Sequence, residues 1–318
     1  MDNDISSAIS LRLAAGQNVL ITSHVRPDGD AIGSLLGLGL ALQGAGRPVQ
    51  MVLADGVPAS FRHLVGADQI RTRFEPGFDT FVTVDCADFK RTGRIFAGQR
   101  RPDINIDHHI SNERFGEFNL IEGEEVATSA ILTNHLPVWG YPITAPIAAA
   151  LLTGIITDTL GFRTSNVTPE AMRQVATLME SGVDMPDLYM RGLVRRSFSA
   201  ARYWARGLSS LERKDGIVYG TLTLQDRKGA GYSGSDDADL INVISAIDGF
   251  KVAMIFVEQA REHVKISWRA LEPGIDVSAV AVRFGGGGHA AAAGADVPGT
   301  LEDVTRSAIR STKEMLSL

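Results

Sequence analysis

The chain has 318 residues, 44% hydrophobic and 21% charged, enough apolar material for two ordinary domains of a water-soluble protein. A net charge of −6 excludes a protein that grips a long polynucleotide or duplex DNA through an extended basic groove. A single cysteine, Cys86, excludes internal disulfides and cysteine-rich zinc sites, and no long uncharged apolar run opens the chain, so a cytoplasmic protein with no membrane partner is expected.

In chain order, the first half alternates short β-branched runs with helical patterns: "VLITS", "LLGLGLALQGAG", "VQMVLAD", "FVTVD" and "INI". That alternation predicts an α/β domain built on a mostly parallel sheet with helices on both faces. In such sheets the functional crevice lies beyond the carboxyl ends of the strands. From about residue 127 the pattern turns helical, and "TPEAMRQVATLMESGVD" predicts a helix with Thr168 as N-cap, Pro169 in the first turn and Gly182 at its end. The stretch from Asp187, rich in arginine, reads as a long or broken helix between domains. The predicted boundaries are a domain at 1–190, a helical linker at 191–210 and a smaller α/β domain at 211–318. In the last part "IVYGTLTL", "KVAMIFVEQ" and "HVKISWRA" read as strands, with helices in "DADLINVISAI" and "TLEDVTRSAIRSTKEMLSL".

Three strand ends deliver ionisable groups to one edge. His24, Asp28 and Asp30 of "HVRPDGDAIGS" follow the first strand, Asp85 ends "FVTVD", and Asp107, His108 and His109 follow "INI". Asp158 lies in an apolar helical stretch, where an unpaired carboxylate would cost several kcal/mol or be forced neutral. A plainer reading of the first motif makes Asp30 the N-cap of a helix starting near Ala31 and Asp28 part of a Pro-Asp-Gly turn. Taken together, however, these segments carry more hard donors than one metal uses. A site for two divalent cations follows, with Mn²⁺ favoured over Mg²⁺ or Co²⁺ because carboxylates and imidazoles supply the ligands and no thiolate is near. Two such ions about 4 Å apart activate water for in-line attack on phosphorus. Cys86 reads as a core residue, since its acidic neighbours raise a thiol pKa. His63, His135 and His263 have no motif around them.

The four motifs "HVRPDGDAIGS", "VDCAD", "DHH" and "TDTLGF", in this order, resemble those of the DHH phosphoesterases, and "GGGGHAAAAGA" resembles the glycine-rich motif of their associated C-terminal domain. Size and domain order look most like the bacterial group that degrades very short oligoribonucleotides and dephosphorylates 3′-phosphoadenosine 5′-phosphate (pAp). The resemblance implies that His24 and Asp28 ligate one metal, that Asp30, His108 and Asp158 ligate the other, and that Asp85 bridges both. It implies His109 beside the scissile phosphate and Asp107 as the group that fixes an imidazole tautomer. It further implies that Gly286, Gly287, Gly288, His289 and Arg269 hold a substrate phosphate, with the active site in the cleft between the domains. Short oligonucleotides or nucleotide bisphosphates are then the expected substrates, and a homodimer is compatible with the pattern. A RecJ-like single-strand exonuclease, a family II pyrophosphatase and a non-catalytic nucleotide sensor are the rival readings.

Overall fold

Five short parallel strands organise the first unit of the computed structural model, which describes residues 2–260 and 262–317. The chain divides into two units, Met1–Arg195 and Arg196–Leu318. In the first, α1 (Asp2–Ala15) leads into β1 (Val19–Thr22), α2 (Gly29–Gly44) and β2 (Val49–Val52). Then come β3 (Thr80–Val84), β4 (Ile104–Asp107), β5 (Phe118–Ile121) and four helices, α3 (Thr128–Val138), α4 (Ala145–Asp158), α5 (Pro169–Met179) and α6 (Met185–Tyr189). The strand order is β2-β1-β3-β4-β5, every pair parallel. Register sets Thr22 opposite Thr83 and Val84 opposite Ile106, so the carboxyl ends of the three central strands finish level.

One face of this sheet presents Val19, Ile21, Val82, Val84, Ile104 and Ile106 to a core completed by α1 to α6. The opposite face presents Leu20, Val52 and Phe81 to Phe96, Phe74, Phe78 and Phe89. The sequence predicts helices on both faces. On this second face the helical cover is two 3-10 turns, Phe89–Thr92 and Arg94–Phe96, and rings do the packing, with Phe81 and Phe74 stacked on Phe96 at 5.5 and 5.3 Å. Nearer the carboxyl ends that face becomes polar and remains buried, with Thr22, Thr83, Asn105 and Asp107.

Helix α2 is apolar almost all round and accordingly buried over most of its length. Its glycine stripe lets α4 approach closely: a Cβ at Gly29 would meet Thr157 Oγ1 at 2.1 Å, one at Gly33 the Ala150 carbonyl at 2.5 Å, and one at Gly37 Leu151 at 2.4 Å. This packing brings the start of α2 beside the end of α4. Helix α5 begins as predicted, with Thr168 Oγ1 accepting from the Ala171 N–H and Gly182 turning the chain at φ +82°.

The second unit comprises α7 (Phe198–Ser209), β6 (Glu212–Lys214), β7 (Ile217–Leu222), α8 (Leu224–Ala230), α9 (Leu240–Ile244), β8 (Val252–Gln259) and β9 (His263–Ala270). It continues with α10 (Val277–Arg283), β10 (Gly287–His289), β11 (Ala292–Pro298) and α11 (Leu301–Leu316). The strands form one mixed sheet in the order β10-β11-β9-β8-β7-β6. Alternation along β8 sends Val252, Met254 and Phe256 to a core with α10 and α11, and Ala253, Ile255 and Val257 to a core with α7 to α9. Trp268, fully buried, donates from Nε1 to Thr312 Oγ1 at 3.1 Å and so anchors α11. The arginine-rich stretch forms α6, a π-helical turn at Met190–Val194 and then α7, whose Ala200 and Tyr203 are buried in the second unit's core. Among the described residues no helix is long and apolar enough to cross a membrane.

Candidate metal centre

The loop after β1 folds as it does because Asp28, not Asp30, caps α2. Its Oδ1 accepts from the N–H groups of Asp30 and Ala31, both at 3.1 Å, and the helix starts at Gly29. Asp28 Oδ2 is left facing His24 Nε2 at 3.7 Å. His24 is buried, and its Nδ1 lies 2.9 Å from the Val25 carbonyl, which makes Nδ1 a donor and turns Nε2 to Asp28 and to Asp85 Oδ2 at 3.4 Å.

Asp85 sits at the centre of the group and is 2% exposed. Its backbone is left-handed, φ +50°, a conformation that costs about 1 kcal/mol outside glycine and is held here from both sides. Its N–H donates to the Ile106 carbonyl at 2.9 Å, and its carbonyl accepts from Ser23 Oγ at 3.3 Å. The turn swings the carboxylate between two imidazoles, Oδ2 toward His24 and Oδ1 toward His108 Nε2 at 3.9 Å. His108 repeats the His24 arrangement, with Nδ1 3.3 Å from the Glu125 carbonyl and Nε2 3.6 Å from Asp158 Oδ2.

Among the described residues two groups of side chains are close enough to hold a metal ion, His24 with Asp28 and Asp85, and Asp85 with His108 and His109. Asp85 belongs to both. His109 enters the second group with its Nδ1 already bonded to Asp107 Oδ1 at 2.7 Å. Asp30 and Asp158 lie outside these tightest groups. Asp158, at the end of α4, reaches the second through His108, whereas both oxygens of Asp30 are engaged by the start of α3: Thr128 N–H to Oδ2 at 2.7 Å and Ser129 N–H to Oδ1 at 2.9 Å.

The electrostatics are those of a site built around positive charge. Burial pushes Asp30 up to about 6, with the negative charge of Asp85 adding to it. Burial and the neighbouring Asp30, Asp28 and Asp85 push Asp158 well above the usual carboxylate range. For His24 burial opposes protonation, yet Asp28 and Asp85 outweigh it and raise the imidazole to about 10. Asp85 is also opposed by burial, but His24, His109 and His108 hold it below the ordinary range. Carboxylates thus repel one another while imidazoles keep protons that a cation would replace, and this donor set fits hard or borderline divalent ions. Cys86 beside it is buried, its thiol pushed up to about 12 by burial and directed at the Asp88 carbonyl.

In the second unit Arg269 and His289 stand two strands apart on one face of the sheet, since His289 pairs with Ala292 and Ala292 with Arg269. The alanine between them leaves room above it. Arg269 is half-buried; Nη1 donates to the Trp268 carbonyl at 3.0 Å, and Nε, itself buried, has no hydrogen-bond partner among the described residues. The glycines have a packing reason of their own, because a Cβ at Gly286 would lie 2.1 Å from the Gly294 carbonyl and one at Gly288, φ +146°, 2.4 Å from that of Ala292. Gly287 meets nothing within 4 Å.

Residues that motif reading passes over complete the first site. Thr128 Oγ1 donates to Asp85 Oδ1 at 3.2 Å, and Asn112 Nδ2 donates to Asp107 Oδ2 at 2.6 Å. Neither is ionisable. The one sequence signal for Thr128 is a Thr-Ser pair at the start of an apolar helical run.

Residues 18–155 match the model of the DHH family N-terminal domain, and residues 216–317 that of the DHHA1 domain. A Thermus thermophilus protein named bifunctional oligoribonuclease and PAP phosphatase NrnA is 34% identical over 302 residues, covering 94% of this chain and 90% of that one. The crystal structure of an exopolyphosphatase-related protein from Bacteroides fragilis superposes with a TM-score of 0.89 at 25% identity, covering 99% and 98% of the two chains. RecJ of Thermus thermophilus in complex with Mn²⁺ shares the fold at a TM-score of 0.55 and 13% identity, covering 99% of this chain and 54% of RecJ. A relative matched over nearly its whole length, and two domain models in the expected order, show that the chain belongs to the DHH family.

Proposed function

We propose that this chain is a metal-dependent phosphoesterase that hydrolyses short oligoribonucleotides to mononucleotides and converts pAp to AMP. The observation that carries the reading is the sharing of Asp85 between two ligand groups at the carboxyl edge of the sheet, which suits a carboxylate that bridges two cations. The name of the Thermus thermophilus relative supports the substrate class.

In this reading His24 and Asp28 hold one divalent ion, Asp30, His108 and Asp158 hold the other, and Asp85 touches both. Mn²⁺ is the favoured occupant. When bound, the pair supplies Lewis acidity and a water-derived nucleophile at neutral pH. The chain's own contribution is orientation: the Val25 and Glu125 carbonyls fix which nitrogens of His24 and His108 face inward. His109, braced through Nδ1 by Asp107, is suited as an imidazolium to donate a hydrogen bond from Nε2 to a phosphate oxygen. Arg269, with an unpartnered buried Nε, and His289 on the same sheet face are suited to take a second phosphate, the guanidinium by its planar fork. Gly287, with open space around it, offers backbone to the same group.

The test is hydrolysis of 5′-labelled RNA from dimers to twenty-mers, with pAp and pyrophosphate alongside, in Mn²⁺ and after chelation. Release of mononucleotide that is fastest from dimers to pentamers and lost on chelation supports the proposal. Preference for long strands would point instead to an exonuclease, and absence of any turnover to a binding protein.

A further inference from the structure

The loop that follows β4 contains a side chain whose hydrogen bonding is complete. Asn112 Nδ2 donates to Asp107 Oδ2 at 2.6 Å and to the Cys86 carbonyl at 3.1 Å, while Oδ1 accepts from Asn105 Nδ2 at 3.0 Å and from the Arg114 N–H at 2.7 Å. A primary amide has two N–H bonds and two lone pairs, so all four are used. The backbone partners settle the amide's orientation, because the Cys86 carbonyl can only accept and the Arg114 N–H can only donate. Asn105 is bonded in turn through Oδ1 to Thr83 Oγ1 at 3.0 Å, and Thr83, Asn105 and Asp107 are all fully buried. A continuous chain of bonds therefore runs from β3 through Asn105, Asn112 and Asp107 to His109 Nδ1.

We propose that Asn112 is a positioning residue, which fixes the Asp107 carboxylate and through it the ring plane and tautomer of His109. The inference rests on the reading of His109 as a phosphate-facing group. With Oδ2 held by Asn112, Asp107 cannot rotate, and its Oδ1 stays 2.7 Å from His109 Nδ1. Without Asn112 the buried Oδ2 loses its 2.6 Å hydrogen bond, and the carboxylate is free to turn toward another donor. The second bond of Asn112 pins the Cys86–Ala87 peptide, so the amide also ties the loop carrying His109 to the loop carrying the shared carboxylate. Glu113 N–H, bonded to the Ala87 carbonyl at 2.9 Å, reinforces that tie.

The experiment compares Asn112→Ala and the isosteric Asn112→Asp with the parent full chain. Four quantities are measured: kcat and KM on a diribonucleotide with Mn²⁺, Mn²⁺ affinity by calorimetry, unfolding in urea, and the downfield imidazole N–H resonance of His109 in Mg²⁺-loaded protein. The expected result is a kcat lower by about tenfold to a hundredfold, with KM and metal affinity within about twofold, and a His109 N–H resonance that shifts or exchanges away. A variant that unfolds more easily but keeps kcat and the resonance would overturn the proposal in favour of a merely structural role. If neither variant folds, the parent decides, since a His109 Nδ1–H that exchanges as fast as that of half-buried His263 would also overturn it. Should the parent hydrolyse nothing, the functional reading fails by itself, and the resonance still reports whether Asn112 controls His109.

Discussion

Thr128 serves two carboxylates at once: its hydroxyl donates to Asp85 Oδ1 at 3.2 Å and its N–H to Asp30 Oδ2 at 2.7 Å. Thr128→Val removes the first bond while keeping the second and most of the volume. Mn²⁺ affinity measured by calorimetry is expected to fall about tenfold to a hundredfold, and Thr128→Ser to restore most of it. Unchanged affinity in the valine variant would remove Thr128 from the site.

Asp85→Ala is expected to abolish turnover, because it takes one ligand from each group. Arg269→Ala should instead raise KM for a short oligonucleotide by about ten- to a hundredfold, the worth of a charge-assisted hydrogen bond, with a smaller change in kcat. Full activity of metal-loaded Asp85→Ala would sink the two-metal assignment.

Divalent cations are expected to stabilise the first unit. In their absence burial pushes Asp30 and Asp158 up, and repulsion among Asp28, Asp30, Asp85 and Asp158 adds to that. Addition of Mn²⁺ should raise Tm, with a shift that grows with the logarithm of concentration and disappears with chelator. A Tm indifferent to Mn²⁺ would argue against any built cation site.

Close helix packing and the site are coupled through Gly154, where a Cβ would lie 2.0 Å from Ser129 Oγ and 2.7 Å from Asp30 Oδ1. Gly154→Ala is expected to cost about 1–3 kcal/mol and to weaken metal binding as α2 and α4 are forced apart. Gly44→Ala, in α2 but with nothing within 4 Å, is the contrast and should be neutral or stabilise by about 0.5–1 kcal/mol. Urea unfolding of the two variants distinguishes packing from helix propensity.

A pH dependence belongs to Asp103, which accepts from Arg12 at 2.9 Å, the Phe81 N–H at 2.6 Å and Arg100 at 2.8 Å. Burial alone would raise this carboxyl; the bonds from Arg100, Phe81 and Arg12 outweigh it and hold it below the ordinary range. A depressed carboxylate stabilises the fold above its unfolded pKa, and that contribution is lost as pH falls through the folded value. Asp103→Asn should therefore cost about 2 kcal/mol at neutral pH, and the difference from the parent should shrink below about pH 4. A constant difference across that range would show that the charge is immaterial.

What the sequence reveals and what it conceals divides along physical lines. The β-branched runs of β1, β3 and β4, buried on both faces, announce a parallel sheet, and the ionisable residues beyond them announce its working edge. Thr168 and Pro169 mark the start of α5 by purely local chemistry. Strand β11 is harder to foresee, because "AAGADVP" has poor strand propensity and is held extended by its pairing with β9 from Arg269 to His263 and with β10. Helix α1, β5, β6 and β10 are likewise made by tertiary partners. Asp28 rather than Asp30 caps α2, a choice decided by one residue of loop geometry. Thr128 and Asn112 matter through bonds to Asp85 and Asp107 that exist only in the folded chain, so no motif of charged residues could disclose them.

The separation of 98 residues between Asp30 and the Thr128 N–H that it binds has a bearing on biosynthesis. His24, Asp28 and Asp30 leave the ribosome early, whereas Asp158 emerges only when most of the first unit has been made. The group of His24, Asp28 and Asp85 is complete in sequence once β3 has been made, that of Asp85, His108 and His109 once β4 has, and only Asp158 waits for α4, so the donor set is assembled in the same order as the sheet that carries it.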